Sequence, residues 1–450
     1  MFKKILIANR GEIAVRVIRA CKELGIATVA VFSEADRQAL HVQMADQAVC
    51  VGDSPSRESY LNMQNIVSAA LLTGAEAIHP GFGFLSENTV FASMCEDVGI
   101  KFIGPSAYAI DAMGNKANAR DVMKKAGVPV IPGTDGTVDS VEEALKFANE
   151  AGYPVLLKAS AGGGGKGIRR CDDEEGLRKG YEAAKTEARM AFSDDSIYME
   201  KAIVGAKHIE MQVIADTHGN TIHLGERECS MQIRNQKVVE EAPSPVMSEE
   251  LRKRFGDAAI KAAQAVDYVN AGTLEFLLDA NGKDFYFMEM NTRIQVEHPI
   301  TEMITGFDIV KEQISVAWGN KLSITQEEVE LKGHSIEARI NASTTGLIEY
   351  MFLPAGCLGL RVDSGIYAGY VMPPHYDSMV AKVITHGKNR EEAIAKMKRA
   401  LDEIVIDGIE TNIELHQEIL DYPEFIAGDY NTKTLEGKLA QAQAQAPANE

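Results

Sequence analysis

Apolar and polar positions change period several times along this 450-residue chain. Ile5 to Ala8 is an unbroken apolar run, the pattern of a strand covered on both faces. Ile13, Val17, Cys21 and Leu24 then recur at helical spacing, and Gly25 ends the run. Ala27 to Phe32 is apolar again. Together these runs predict a β-α-β unit. No Gly-x-Gly-x-x-Gly loop marks it as a dinucleotide site. A helix is predicted over Asn65 to Leu72. Ala77 to His79 then leads into a glycine-rich loop ending at Glu87. Such loops at strand ends bind ligands in open α/β sheets. Simple loop packing accounts for His79, Phe82 and Glu87 equally well.

A second block begins near Gly114, with Lys116 just ahead of a helix that runs through Ala126. Pro154 to Lys158 reads as a buried strand, and Gly162 to Gly165 are consecutive glycines. Backbone N–H groups there can face phosphate oxygens with no side chain in the way. The spacing is not that of a Walker loop. A flexible linker is the other reading, but the run lies between a core strand and Ile168-Arg-Arg170, which favours a nucleotide lid. Ile197 to Ile203 is a strand that puts Glu200 and Lys201 where a hinge to that lid belongs. Lys207 to Val213 alternates His208 and Glu210 with apolar neighbours, and a satisfied strand histidine is the other, less favoured account of His208. Glu226 to Glu241 is too charged for a core strand and ends in the turn Ala242-Pro-Ser-Pro245. A helix follows over Glu249 to Asp267.

Two adjoining strands concentrate the chemistry. Gly272 to Leu278 is apolar except for Glu275. The turn Asp279-Ala-Asn-Gly-Lys283 leads back into Phe285, a hairpin signal. Pairing then sets Glu275 beside Glu289. Two carboxylates in an apolar setting need a cation or a proton between them. Beyond Phe285, Glu289, Asn291, Arg293, Gln295 and Glu297 fall on every second residue, so continued extension would place all five on one face. Carboxylates with an amide oxygen suit magnesium, which keeps company with phosphates. Arginine among them suits a planar anion. An ordinary half-exposed strand with cross-strand ion pairs is the bland alternative.

A last block begins near Gly333. His334 to Asn341 alternates, with Glu337, Arg339 and Asn341 on one face. A strand is predicted at the end of Val371 to Ile384, and a helix over Glu391 to Ile404. The Ala-Gln tail from Ala440 is low-complexity and is expected to be disordered.

Composition narrows the classes. Hydrophobic content of 45% and charged content of 25% are those of a globular protein. A net charge of -19 argues against a general nucleic-acid binder. Six cysteines without paired spacing fit reduced thiols rather than a disulfide framework or zinc site. The apolar run before Asn9 is too short for a signal peptide, and no apolar stretch is long enough to span a membrane. A cytoplasmic location is expected.

The ordered set of motifs resembles the biotin carboxylase family, a branch of the ATP-grasp enzymes. The motifs are Ala8-Asn-Arg-Gly-Glu-Ile-Ala14, His79-Pro-Gly-Phe-Gly-Phe-Leu-Ser-Glu-Asn88, Gly162-Gly-Gly-Gly-Lys-Gly167, Glu289-Met-Asn-Thr-Arg-Ile-Gln-Val-Glu-His298 and Tyr376-Asp-Ser-Met379. Single members recur elsewhere, but the ordered set does not. The likeness runs from about residue 2 to about residue 438 and implies an α/β fold in three parts. These are an N-terminal open parallel sheet over 1–114, a central ATP-grasp domain over 115–330 with a glycine-rich lid at about 131–203, and a C-terminal α+β domain over 331–438. Residues 439–450 form the tail.

The resemblance also implies an ATP-dependent ligase. MgATP (or MnATP) activates bicarbonate to carboxyphosphate, and the carboxyl group passes to biotin on a separate carrier protein. By that likeness Lys116 and Lys158, with Gly164 and Gly165 of the lid, contact phosphates. Glu200, Lys201 and Ile203 hold adenine, while His208, Glu210, Gln232 and Asn235 lie on the nucleotide side. Glu275 and Glu289 serve both nucleotide and metal, and Asn291 completes the metal set. Lys237, Arg293, Gln295, Val296 and Glu297 surround bicarbonate. Glu297 is the base, Arg339 stabilises the biotin enolate, and Phe82 lies on the substrate side. Three departures stand out. Asn235 replaces a histidine, with Ile233 in place of an arginine before it. Phe82 replaces a tyrosine. Ser343-Thr-Thr-Gly346 replaces a proline-rich stretch.

Ala395-Lys-Met-Lys398 sits in a helical pattern and is not a biotin attachment hairpin, so the carrier is another chain. Acetyl-CoA carboxylase in fatty acid synthesis is the expected setting, with a carrier protein, carboxyltransferase subunits and a homodimer. A pyruvate or other acyl-CoA carboxylase is the alternative. An ATP-grasp carboxylate–amine ligase and a non-catalytic nucleotide sensor are the rivals.

Overall fold

The structure is a computed structural model that describes residues 1–159, 167–192 and 194–445. The predicted lid glycines Gly164 and Gly165 lie outside the described residues.

The N-terminal apolar runs form five parallel strands. These are β1 (Lys4–Ile7), β2 (Ala27–Ser33), β3 (Gln47–Gly52), β4 (Ala77–His79) and β5 (Lys101–Phe102). They pair in the order β3-β2-β1-β4-β5. Helix α1 (Gly11–Glu23) follows β1 at the predicted place. Ile5, Ile13 and Val17 share one core with Ile214, Ile222 and Ile309. The first sheet is therefore welded to the middle of the chain by apolar packing.

A small antiparallel sheet forms within the stretch expected to hold the lid. It is built from β6 (Val155–Ala159), β7 (Ile168–Cys171) and β8 (Ile197–Lys201), with β6 in the centre. The helices Val141–Ala151 and Glu174–Phe192 accompany it. Val155, Leu157, Leu177, Ile197 and Met199 form a core of its own.

The largest element is an eight-stranded antiparallel sheet. The middle of the chain supplies β9 (Lys207–Ala215), β10 (Thr221–Ile233), β11 (Gln236–Ala242), β12 (Asn270–Leu278) and β13 (Phe285–Asn291). The last block supplies β14 (His334–Asn341), β17 (Leu360–Ser364) and β19 (Met379–Gly387). Their order is β13-β12-β9-β10-β11-β14-β19-β17. Pairing of β11 with β14 carries the sheet across residue 330 without a break. Two short ladders sit beside it. β15 (Gly346–Leu347) pairs with β18 (Val371–Met372), and β16 (Tyr350–Phe352) with β20 (Val405–Asp407). The altered Ser343–Gly346 stretch is thereby built into the last domain, with Ser343 N–H donating to the Glu410 carbonyl at 2.8 Å.

Three expectations are corrected. Glu226 to Glu241 is not excluded from the core by its charge: it forms β10 and β11, with Glu226, Arg227, Glu228, Glu240 and Glu241 fully buried. Pairing makes this tolerable. Glu226 accepts from Arg252 at 2.8 and 2.9 Å, and Glu241 accepts from Arg390 at 2.6 and 2.9 Å. The extension beyond Asn291 also fails. β13 stops there, and residues 292–297 bend into a helix at His298–Thr305. The Thr292 N–H is taken by the Glu87 carboxylate at 2.9 Å, not by a neighbouring strand. Finally, the tail is not disordered from residue 439. The helix Thr434–Gln445 continues into it, as the high helix propensity of Ala and Gln allows, and residues 446–450 lie outside the described residues.

Candidate active site

The central sheet lays a row of charge across four neighbouring strands. Glu289 on β13 faces Glu275 on β12, Glu275 faces Glu210 on β9, and Glu210 faces Arg227 on β10. The register predicted for Glu275 and Glu289 is therefore present. Glu210 and Arg227 are fully buried, and Glu275 is 5% exposed. Arg227 donates to Glu210 at 3.1 Å, Gln212 at 2.8 Å, Thr273 at 3.1 Å, Gln295 at 2.6 Å and Thr301 at 3.0 Å. Its guanidinium ties three strands to the segment after β13.

Lys237 is the second hub. Its ammonium donates to Glu275 at 3.0 Å, to Glu297 at 2.8 Å and to Glu210. Burial would push this lysine down, but Glu275 and Glu297 outweigh it and hold the ammonium above its ordinary value. His208 Nε2 lies 3.2 Å from both Glu210 and Glu275. Burial opposes the charge on Glu275, and the Lys237 ammonium overrides it, keeping that carboxylate well below the usual range.

The segment after β13 reaches the same point through its bend. Gln295 donates to Glu275 at 2.8 Å. Arg293 donates to Glu87 at 2.8 Å and to Asn291 at 2.9 Å. Glu297, 2% exposed, accepts from Lys237 and also from Arg339 at 3.0 Å. These two cations, chiefly Lys237, hold its carboxyl far below the usual range despite burial. The Val296 carbonyl accepts from Lys382 at 2.8 Å.

The nucleotide-side predictions fall on the sheet edge and the lid. Lys116 pairs with Glu289 at 3.0 Å. Lys158 pairs with Glu200 across the lid sheet. The Lys201 ammonium donates to the carbonyls of Gly152 at 2.8 Å and Tyr153 at 3.1 Å, and Ile203 follows β8 half-buried. Gln232 is buried opposite Lys237. Asn235 sits apart, exposed at the tip of the β10–β11 hairpin with φ of 64°. Asparagine tolerates this left-handed backbone far better than most residues. Phe82 is half-buried in the glycine-rich loop, and its carbonyl accepts from Asn9 at 2.8 Å.

Glu87, which the sequence left equally open to loop packing, holds Thr292 and Arg293, so the N-terminal loop does more than pack. Several other participants went unnoticed in the sequence. Arg227 and Glu240 lay in the stretch judged too charged for a strand, where the density of carboxylates beside an arginine was the available signal. Lys382 had no signal beyond its place in a strand.

Comparison with known proteins decides the family. Residues 1–110 match the profile of "Biotin carboxylase, N-terminal domain", and 115–325 match "Carbamoyl-phosphate synthase L chain, ATP binding domain". Residues 337–437 match "Biotin carboxylase C-terminal domain". The chain belongs to the biotin carboxylase family. Biotin carboxylase 1 of Bacillus subtilis is 60% identical over 444 residues, 97% of this chain and 98% of that one. A pyruvate carboxylase component of Methanothermobacter thermautotrophicus is 53% identical, over 96% of this chain and 89% of its own. Among solved structures, the biotin carboxylase of Campylobacter jejuni superposes with a TM-score of 0.91 at 50% identity, covering 97% of this chain and 99% of its own. The biotin carboxylase domain dimer of Hydrogenobacter thermophilus 2-oxoglutarate carboxylase, solved with MgADP, ADP and bicarbonate, gives 0.90 at 51% identity, covering 98% of each chain.

Proposed function

We propose that the chain carboxylates biotin carried on a separate protein, using MgATP and bicarbonate. The observation that carries this reading is Glu297, a buried carboxylate set between the ammonium of Lys237 and the guanidinium of Arg339. A small planar anion entering beside it finds Lys237, Arg293 and Gln295 as donors and Glu297 as proton acceptor. In its ion pairs Glu297 is too weak a base for the task, because a useful base has a pKa near the working pH. Bicarbonate, itself an anion, draws Lys237 and Arg339 toward its own oxygens and so returns basicity to Glu297. The deprotonated bicarbonate attacks the terminal phosphorus of ATP, the bond to the β-phosphate oxygen breaks, and ADP leaves as carboxyphosphate forms. Arg339 then faces the negative charge developing on the ureido oxygen of biotin as its N1 gives up a proton to the departing phosphate and takes the carboxyl group from carboxyphosphate.

Glu275, Glu289 and Asn291 fit a hard divalent cation. The two carboxylates are direct cross-strand partners, and Asn291 follows two residues after Glu289. Magnesium bound there would neutralise charge on the phosphate oxygens.

Lys116, Lys158, Glu200, Lys201, Ile203, His208, Glu210, Gln232 and Asn235 are proposed for the nucleotide, with Phe82 toward biotin. The proposed setting is a cytoplasmic acetyl-CoA carboxylase with separate carrier and carboxyltransferase subunits and a dimeric carboxylase. Among the described residues no helix is long and apolar enough to cross a membrane. The kinship with pyruvate and 2-oxoglutarate carboxylase components keeps those acceptors as the second reading.

ADP release by the purified chain tests the proposal. It should require bicarbonate and rise with free biotin. Release that ignores biotin but responds to an added amine and carboxylate would assign a carboxylate–amine ligase instead.

A further inference from the structure

Lys382 is fully buried on β19 and is not among the groups proposed to face substrate. Its ammonium makes two contacts that join the three parts of the chain. It donates to the backbone carbonyl of Val296 at 2.8 Å, inside the segment that ends in Glu297. It also pairs at 3.1 Å with Glu12, in the first turn of α1. Glu12 comes from the N-terminal sheet domain, Val296 from the central domain and Lys382 from the last domain.

The meeting of α1 with the last domain is close. A Cβ on Gly365, just past β17, would stand 2.7 Å from the Gly11 carbonyl carbon and 2.8 Å from the Glu12 nitrogen. Only glycine allows the two backbones that approach, and it presses the turn bearing Glu12 against the end of β17, the strand paired with the one bearing Lys382.

The environment of the ammonium is electrically built. Asp363 on β17 and Arg339 on β14 are its cross-strand neighbours. Glu12 and Asp363 face this ammonium, and its acidic surroundings outweigh the penalty of burial and keep Lys382 charged. A charged donor binds a carbonyl more strongly than a neutral one.

The next backbone carbonyl upstream is also fixed. Gln295 O receives His298 Nδ1 at 2.8 Å. Lys382 thus holds the residue between the Gln295 and Glu297 side chains, on a bend that no strand partner supports.

We infer that Lys382, anchored by Glu12, is a positioning residue that sets the bend at Val296 and thereby aims Glu297 and Gln295 at bicarbonate. The inference rests on the reading of the site as a biotin carboxylase.

The test separates positioning from charge pairing. Lys382→Met removes the donor but leaves Glu12 buried without a partner, which destabilises the fold. The double variant Glu12→Gln with Lys382→Met removes both charges and keeps similar volumes. Bicarbonate-dependent ADP release and thermal melting are measured on the wild type, the single variant and the double variant. The double variant should melt close to the wild type, while its KM for bicarbonate rises about 10–10²-fold, the scale of a small misplacement of a reacting group. Its KM for MgATP should stay unchanged. A double variant with a wild-type KM for bicarbonate would overturn the proposal, as would equal losses toward bicarbonate and MgATP. Failure of the double variant to fold would assign Lys382 to the core alone and overturn it likewise. A wild-type protein whose ADP release ignores bicarbonate would instead remove the proposed function.

Discussion

Glu240 on β11 and Glu337 on β14 lie directly opposite each other, and both are fully buried. Glu240 has Arg339 as an ion-pair partner. Among the described residues Glu337 has no hydrogen-bond partner on either oxygen. Burial pushes the Glu337 carboxyl well above its ordinary value, with the Glu240 charge adding to the rise against the pull of Lys382. Glu337 therefore holds its proton where an ordinary glutamate has lost it. A row of two like charges behind Arg339 is avoided in this way.

A sign follows for stability. The folded state keeps a proton that the unfolded chain releases above about pH 4.3. Stability attributable to this group is complete below that value and falls as pH rises toward the folded pKa. Glu337→Gln, neutral at every pH, should escape that loss. Its melting temperature should gain on the wild type as pH is raised, by a stability difference on the order of 1–3 kcal/mol for one unpartnered buried group. Melting curves across pH check this, and a constant difference would show that Glu337 is ionised throughout.

Glu275→Gln and Glu289→Gln should each cut MgATP turnover steeply at limiting magnesium. Glu289 is partly exposed beside Lys116, so its variant should melt like the wild type. Glu275→Gln loses a charge that faces Lys237 and His208, so it should also melt lower. Activity measured against magnesium concentration decides whether each residue is a ligand. Near-normal turnover at limiting magnesium would remove that residue from the set.

Glu297 and Arg339 touch at 3.0 Å but should fail differently when truncated. Glu297→Ala should abolish ATP cleavage that depends on bicarbonate and biotin together. Arg339→Ala should lower carboxyl transfer by about 10²–10³, the effect of one oxyanion donor. It should spare ATP binding and slow bicarbonate-dependent ATP hydrolysis without biotin. ADP release with and without free biotin reads both variants. If Arg339→Ala lost nucleotide binding as fully as Glu275→Gln, Arg339 would belong to the ATP site.

The sequence by itself determined most of the local elements and one long-range pair. Ile5 to Ala8 and Ala27 to Phe32 were legible because strands buried on both faces are apolar throughout. Glu275 and Glu289 were legible as partners because a short turn fixes the register of the strands it joins. Tertiary structure alone decided where charge could be buried. Arg227, Glu240 and Lys382 look like surface residues in sequence, since the partners that stabilise them are residues such as Gln295, Arg339 and Glu12, distant along the chain. The bend after Asn291 escaped for the same reason. Alternation reports a preference for extension, but the groups that bend the chain, Glu87, Arg227 and Lys382, arrive from three separate parts of the fold. Ionic contacts of this kind leave no period in a sequence, because only the folded chain brings their two ends together.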